Sequence, residues 1–501
     1  MGWNLNDNLI NTARKYPNRN AYLFMNESVT YNEFNHKVNS FASALSSRGV
    51  GKGDTVALLL GNSPEFLIAY YGILRSGAAA VPMNPLYTAE EVTYILSDCK
   101  AKVVVAVPSQ RTTLSGLLEK LEHLEFIIYT ETNDSSLSFD QLLEQAQRDF
   151  ESPSLSEDDL AIILYTSGTT GKPKGAMLSH RNMASNAEST VSFLKINSED
   201  LVIAVLPMFH VFCMTVCINA PILNGATIVI LPKFSPSEVI QTIRDCQATV
   251  FVGVPTMYNF MLHLPDVSSA DLASLRVCIS GGAALPVELL HKFQNYFRTF
   301  ILEGYGLTES SPVTAFNPLE GVRKPGSIGK DIPRVKNKVV DPNGIEVPRG
   351  EVGELIVQGP NVMLGYLGNP EATALALRGG WLYTGDMATM DEDGYIFIVD
   401  RKKDMISVGG FNVYPREVEE VLYQHPFVLE AAVIGVPDEE YGERVKAYIV
   451  KKVEDVSVPE ILAFCQERLV KYKIPKEVEF LEELPKNRTG KILRRALRAT
   501  N

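Results

Sequence analysis

The 501 residues carry a formal net charge of −12, with 46% apolar and 21% charged side chains. That length exceeds what one hydrophobic core serves, so two or more domains are expected. The acidic balance excludes a nucleic-acid partner, which needs clustered cations, but not a small phosphorylated substrate, which needs only a local positive site. Cys99, Cys213, Cys217, Cys246, Cys278 and Cys465 are scattered with no CxxC pair. Buried free thiols in a reducing cytoplasm are therefore expected, not disulfides or zinc. The opening MGWNLNDNL puts no charged leader before an apolar run, so no signal peptide is read.

Over the first 300 residues, apolar β-rich runs alternate with helical patterns. TVALLLG from Thr55 precedes the helical SPEFLIAYYGILRSG. AKVVVAV from Ala101 and LEFIIYT from Leu124 frame another helical stretch, and ATVFVGV from Ala248 and LRVCISGG from Leu275 lead to PVELLHKFQNYF. The alternation predicts parallel sheets covered by helices, in more than one α/β unit. Leu201 to Pro232 has no full charge and is long enough to span a bilayer. Pro207, Pro221, His210 and Asn219 speak against a membrane span. The stretch reads as a strand, a short helix bracketed by the two prolines, and the strand ATIVIL. No transmembrane segment is expected, while peripheral membrane contact stays open.

Beyond about residue 320, turn signals crowd in at Asp341-Pro342-Asn343-Gly344 and Asp391-Glu392-Asp393-Gly394, around the strand-like GEVGELIVQG and GYIFIVD. This predicts antiparallel β structure, a small barrel or distorted sheet. The charged connector Asp400 to Asp404 offers few apolar groups for packing. About a hundred residues with their own helix and strand alternation follow it, enough for a small α+β domain. Leu484 to Arg498 holds six basic residues and no acidic one.

The sharpest motif is YTSGTTGKPKG, Tyr165 to Gly175, directly after the apolar LAIIL. Backbone N–H groups and the hydroxyls of Thr166, Ser167, Thr169 and Thr170 can surround phosphate oxygens, with Gly168 and Gly171 giving freedom and Lys172 and Lys174 adding charge. It is not a Walker A loop, because the GxxxxGK[ST] spacing fails and Pro173 follows the lysine. The next helical pattern, MLSHRNM, lies too far downstream to aim its N-terminus at the same phosphates.

With this motif, GYGLTE, WLYTGD, DRKKDMISVGGFNVYPREVEEVL and PKNRTGKILRR in order, the sequence resembles the adenylate-forming superfamily, and within it bacterial fatty-acid–CoA ligases. The run LPMFHVFCMTVCINAPIL and the segment GVPTMY carry the closer likeness. The resemblance implies an α/β protein. Its large N-terminal domain, residues 1–400, has α/β-layered subdomains and a β-barrel-like part. A small mobile α+β domain, residues 401–501, carries a catalytic lysine. The implied activity is ATP-dependent activation of a fatty acid as its adenylate, with pyrophosphate released, then transfer to coenzyme A. The site residues follow by likeness. Glu303, Gly304, Tyr305 and Gly306 lie at the nucleotide, with Tyr305 against adenine, and Thr308 meets the α-phosphate. Glu309 and Thr166 hold Mg²⁺. Gly281, Gly282 and Ala283 let adenine approach the backbone, and Asp386 and Arg401 hold the ribose. His210 contacts the carboxylate or gates the acyl channel. Lys491 bridges carboxylate and α-phosphate. Gly409 and Gly410 line a pantetheine tunnel after the small domain turns about Lys403.

The acyl pocket is expected to draw on Val211 to Leu223, Val252 to Tyr258 and Ser280 to Leu285, with Cys213, Met214, Cys217 and Met257 as adaptable walls. An amino-acid substrate would want an aspartate where Met208-Phe209-His210 stands. A malonate-type acid would need a pocket arginine, for which Arg276 leaves the question open, as pocket depth does for aryl acids. A nucleotide-binding regulator without chemistry is the competing class, opposed by the joint presence of Lys491, Glu309 and Asp386.

Overall fold

The structure is a computed structural model and describes residues 3–131, 136–145, 150–166, 172–452, 456–486 and 491–499. Short apolar runs without alternation become buried parallel strands, as both faces need cover. One eight-stranded sheet carries Thr55–Leu59, Ala79–Pro82, Val103–Ala106 and Phe126–Tyr129 in parallel, and its edge is the antiparallel hairpin Leu160–Thr166 and Lys174–Ser179 followed by Gly365–Tyr366. A nine-stranded sheet is built on parallel Thr227–Ile230, Leu201–Ala204, Val250–Gly253, Val277–Ser280 and Ile301–Gly306.

Helices fill the space between the two sheets, and one core cluster includes residues of both. Pro64–Ser76 shows why such a helix forms. The Ser63 hydroxyl accepts the Phe66 N–H, Pro64 occupies the first turn, and Gly77 closes the end at φ 89°. Every residue of it except Glu65 is buried, as an apolar sequence on all sides requires. Tyr31–Ser46 packs beside it behind a capping box of Thr30 and Glu33. Among the described residues no helix is long and apolar enough to cross a membrane.

Two sequence expectations are corrected here. The helix in the uncharged stretch is not bracketed by prolines: it continues through Pro221 to Asn224. Pro221 has no N–H, and the turn before it widens to a π-helix over Cys213–Asn219, where the Ala220 N–H reaches back five residues to the Thr215 carbonyl. Similarly, Met177 and Leu178 finish a strand, and the helix starts at His180 behind a capping box of Ser179 and Asn182.

The antiparallel part is a five-stranded sheet of Lys336–Val340, Gly353–Gln358, Trp381–Met390, Leu377–Arg378 and Ile396–Arg401. The small domain has its own sheet of Phe411–Val413, Ile406–Val408, Gly442–Lys451, Val428–Asp438 and Glu477–Leu481. Alternation along Val428–Asp438 sends Ala431 and Val433 toward helices Pro415–Tyr423 and Val458–Gln466, and Ala432 and Ile434 toward Leu484 and Leu497 of the tail.

The connector is better packed than its composition predicts. Asp400 and Asp404 are buried, with Arg494 Nη1 donating to Asp400 at 3.0 Å and Arg498 Nη1 to Asp404 at 2.9 Å. The tail cations fold back and satisfy carboxylates that would otherwise be costly to bury.

Gly329 joins the nine-stranded sheet to the antiparallel part through a bridge to Ile396. Its φ is +86°, and an added Cβ would sit 1.9 Å from the Phe316 carbonyl. Gly350, at φ +85°, has nothing within 4 Å of its Cβ position. Gly329→Ala is expected to destabilise by about 3 kcal/mol or more, and Gly350→Ala by about 1 kcal/mol. Denaturant midpoints of the two variants check the difference.

Candidate active site

Parallel strands that end together bring their loops together. Gly253 pairs with Ser280 and Ser280 with Glu303, so the loops after the first two strands emerge beside the last residues, Gly304–Gly306, of the third. They open on a cavity of about 1710 Å³ whose wall includes Gly281–Ala283, Gly304–Gly306, Thr308 and Glu309, with Asp386, Arg401 and Lys491 opposite. Such carboxyl-end crevices are where α/β folds bind ligands. The backbone comes close here because glycine is the only residue that fits. A Cβ on Gly281 would lie 2.9 Å from the Phe212 ring, and one on Gly306 would lie 2.2 Å from the Pro312 carbonyl.

Asp386 and Arg401 are cross-strand partners, with Nε and Oδ1 3.7 Å apart, and the Tyr305 hydroxyl donates to the other oxygen of Asp386. Burial pushes the Asp386 carboxyl up, and Arg401 and the Tyr305 hydroxyl pull it back. The result is a fixed carboxylate beside an aromatic ring and a cation, suited to accept hydroxyl donors.

Glu309 sits in the short 3₁₀ turn Thr308–Ser310, and its Oε1 accepts the Tyr366 hydroxyl at 2.7 Å. Strand Gly365–Tyr366 pairs with Lys174–Ser179, and Lys174 Nζ lies 5.4 Å from the centre of the Tyr366 ring. Tyr366 thus joins the glycine-rich hairpin to the acidic turn. Thr166 and Lys174 pair at the mouth of that hairpin and both line the cavity.

His210 Nδ1 accepts the Phe212 N–H at 3.2 Å, so Nε2 carries the proton of the neutral ring. Burial, reinforced by the positive charge of Lys491, lowers its pKa to about 4. Lys491 is itself lowered to about 8, chiefly by burial and then by Arg401, with Asp386 opposing. Two groups read from distant parts of the sequence therefore share one electrostatic environment.

Some expected residues stand elsewhere. Ser167, Gly168, Thr169, Thr170 and Gly171 lie outside the described residues. Lys172 is not on the cavity wall but lies 5.6 Å from the centre of the Tyr94 ring. Gly409 and Gly410, at φ +56° and +86°, turn a hairpin in the small domain away from the wall. Glu303 reaches the wall, while its carboxylate accepts the Leu285 N–H at 3.0 Å. The expected acyl segments reach the cavity through Val211, Phe212, Pro255, Thr256 and Gly281–Ala284, but the expected adaptable walls are corrected: Cys213, Met214, Cys217 and Met257 pack in the core behind it, and Phe209, Asn259 and Leu262 line it as well. The residues facing inward along helix Pro255–Leu262 are set by which side packs on the sheet. Arg276 is turned away as well, held to Asp200 by two hydrogen bonds of 2.7 Å, which removes it as a partner for a second substrate carboxylate.

Known proteins share this fold. The AMP-binding enzyme family matches residues 9–367, and the AMP-binding enzyme C-terminal domain matches residues 417–491. The chain belongs to the AMP-binding enzyme family. A long-chain-fatty-acid–CoA ligase of Bacillus subtilis is 40% identical over 98% of this chain and 93% of its own length. A feruloyl-CoA synthase of Amycolatopsis is 37% identical over 98% of this chain and 97% of its own. The crystal structure of ATP-bound MatB from Rhodopseudomonas palustris, 35% identical, superposes with TM-score 0.92 over 100% of this chain and 99% of that one. The apo form of the same protein gives a TM-score of 0.83.

Tyr366, hydrogen-bonded to Glu309 on the cavity wall, is the residue of this site that sequence reading missed. No motif flags it, because its partner Glu309 is 57 residues away in the chain. Spacing alone carries no signal for such a pairing. Glu309 and Thr166 are hard oxygen donors on the wall of one cavity, a set that fits Mg²⁺, which takes few protein oxygens and the rest from phosphates and water. Tyr366→Phe removes the hydrogen bond that orients Glu309. The Mg²⁺ concentration for half-maximal activity is expected to rise about tenfold, the scale for losing an outer-shell partner. A Mg²⁺ titration at saturating ATP checks it.

Proposed function

We propose that this protein is an ATP-dependent fatty-acid–CoA ligase of the long-chain type, working in the cytoplasm through an acyl-adenylate. The observation that carries the residue roles is the placement of Lys491 in one cavity with the Tyr305–Asp386–Arg401 cluster and with His210. ATP lies with adenine between Gly281–Ala283 and Tyr305, and with its ribose hydroxyls on Asp386 and Arg401. Thr166, Lys174 and Thr308 face its phosphates. Mg²⁺, held by Glu309 and Thr166, supplies charge neutralisation at the phosphates.

In the first step a carboxylate oxygen attacks the α-phosphorus, and the bond to the β-phosphate oxygen breaks with loss of pyrophosphate. Lys491 bridges the two reacting anions and stabilises the charge that builds between them. Neutral His210 donates from Nε2 to the carboxylate or stands at the acyl channel. In the second step the sulfur of coenzyme A attacks the acyl carbonyl, the bond to AMP breaks, and the thiol proton leaves. Gly409 and Gly410 serve this step, so residues 401–501 must turn about Lys403 relative to residues 1–400 to bring them in. The arrangement seen here, with Lys491 inward, is read as the adenylating one. The closer superposition on ATP-bound than on apo MatB supports that reading.

The fatty acid is favoured by the Bacillus subtilis relative and by Phe209, Phe212 and Leu262 on the wall. An aryl acid is the second reading, favoured by the Amycolatopsis relative and by the polar Thr256 and Asn259. Pyrophosphate release with C4 to C18 acids, ferulate and malonate, with and without coenzyme A, decides between them. The fatty-acid reading requires preference for the longer chains; preference for ferulate overturns it.

Lys491→Ala is expected to slow adenylation roughly 10²–10³-fold, while ready-made acyl-adenylate is still converted to acyl-CoA. Equal loss of both half-reactions would refute this role.

The pH dependence follows from the same lysine. Its charge is present below a pKa of about 8 and is lost as pH rises through it. Adenylation kcat/KM, which reports the free enzyme, should therefore fall above about pH 8 and show no such limb in Lys491→Ala. Initial rates between pH 6 and 10 check it.

A further inference from the structure

Helix Pro415–Tyr423 is packed into the small domain through Val418 and Leu422, yet its first turn faces the large one. The Arg416 backbone N–H donates to Asp400 Oδ2 at 2.9 Å. Its guanidinium crosses to the large domain, where Nη1 donates to the Ile398 carbonyl at 2.9 Å and Nη2 to the Gly326 carbonyl at 3.4 Å. The same Nη2 lies 4.0 Å from Glu303 Oε1, and Nε lies 3.8 Å from Glu420 Oε1. Glu420 in turn accepts the Val287 N–H at 3.4 Å.

Glu303 is an unusual residue to find at that spot. It is buried on the central strand Ile301–Gly306, two residues before Tyr305, and its Oε1 holds the N–H of Leu285, two residues after Ala283. It therefore ties together the two backbone segments between which adenine is placed. Its Oε2 is buried and receives no hydrogen bond from a described residue. Burial raises the carboxyl to about 7, and the guanidinium of Arg416 is the main opposing influence. The charge that offsets this buried carboxylate is thus supplied from the other domain.

We propose that Arg416 is a positioning residue whose guanidinium, docked on Glu303, latches the small domain in the orientation that carries Lys491 into the cavity. The inference rests on the two-step ligase reading. When the small domain turns, Arg416 leaves and Glu303 keeps one N–H in an apolar setting, so an ionised Glu303 favours the docked state. A guanidinium suits this task because it stays charged while its fork also satisfies two carbonyls. The contact is polar and made by a single guanidinium, so it can also part when the second step requires.

The test measures each half-reaction in single turnovers, using an acid that the unmutated chain activates. Arg416→Gln should slow adenylation about tenfold, the scale of one inter-site coupling, and leave transfer from supplied acyl-adenylate to coenzyme A unchanged or faster. Retained transfer also shows that the variant is folded, and Arg416→Lys should recover part of the lost rate. Glu303→Gln should slow adenylation as well, and the double variant should be no slower than the slower single one. Equal losses in both half-reactions, no loss, or additive losses overturn the latch. If the unmutated chain forms adenylate from none of the acids, the ligase reading fails and the latch with it. Failure of the latch alone leaves unmutated adenylation intact.

Discussion

The site depends on the register of parallel strands. Val250–Gly253 and Val277–Ser280 end in step, with Glu303 at the same level, while Ile301–Gly306 continues beyond it along the cavity. The glycine-rich hairpin reaches that level from a different sheet, across a layer of helices buried on nearly all sides. A slip of one residue in any of these strands would turn Tyr305 or Glu303 to the opposite face. The large all-round burial of helix Pro64–Ser76 is the cost of holding two sheets in fixed relation. It explains why so much of the first 300 residues is apolar in runs and not in alternation.

On that frame the chemistry is electrostatic. Lys491, Asp386 and Glu303 are largely removed from water and shifted from their ordinary behaviour, and the half-exposed Arg401 faces Asp386. Low solvent access makes every one of these interactions stronger than it would be at the surface. It also makes each conditional on its partner staying in place. Lys491 is held partly deprotonatable by burial beside Arg401, and two anionic reactants would restore its full charge as they bind.

Much of this was legible in the sequence, and the reasons for the rest are physical. Nearly every strand read from an apolar run is present, because burial on both faces leaves an unmistakable pattern. The small domain was visible through its own alternation, which sends Ala431 and Val433 to one face and Ala432 and Ile434 to the other. What could not be read were the directions of side chains within apolar segments. Met214 and Cys217 look like pocket walls by type, but a π-helical stretch turns them into the core. Nor could pairings between distant residues be read, such as Tyr366 with Glu309, or Arg276 with Asp200, whose bonds take Arg276 out of the acyl site. The connector Asp400 to Asp404 misled for the same reason. Its charges suggested exposure, and only the fold shows Arg494 and Arg498 arriving from the tail to neutralise them.

The charged character of that junction suits the proposed rotation. A domain interface sealed by interdigitated apolar side chains gains free energy in proportion to buried area and resists separation. One built from guanidinium and carboxylate groups gains little net free energy, since desolvation offsets attraction, yet it is sharply selective for the geometry in which the partners meet. Arg494 binds Glu419 through both oxygens at 2.8 Å and Asp400 at 3.0 Å, so the helix just after Lys491 is aimed by charge and not by bulk. Glu419 and Arg494 both belong to the small domain and can travel together. Asp400 and Glu303 lie on strands of the large one and cannot. Under the proposed rotation, this division of the ionic network would allow a precise orientation to be given up at little net cost.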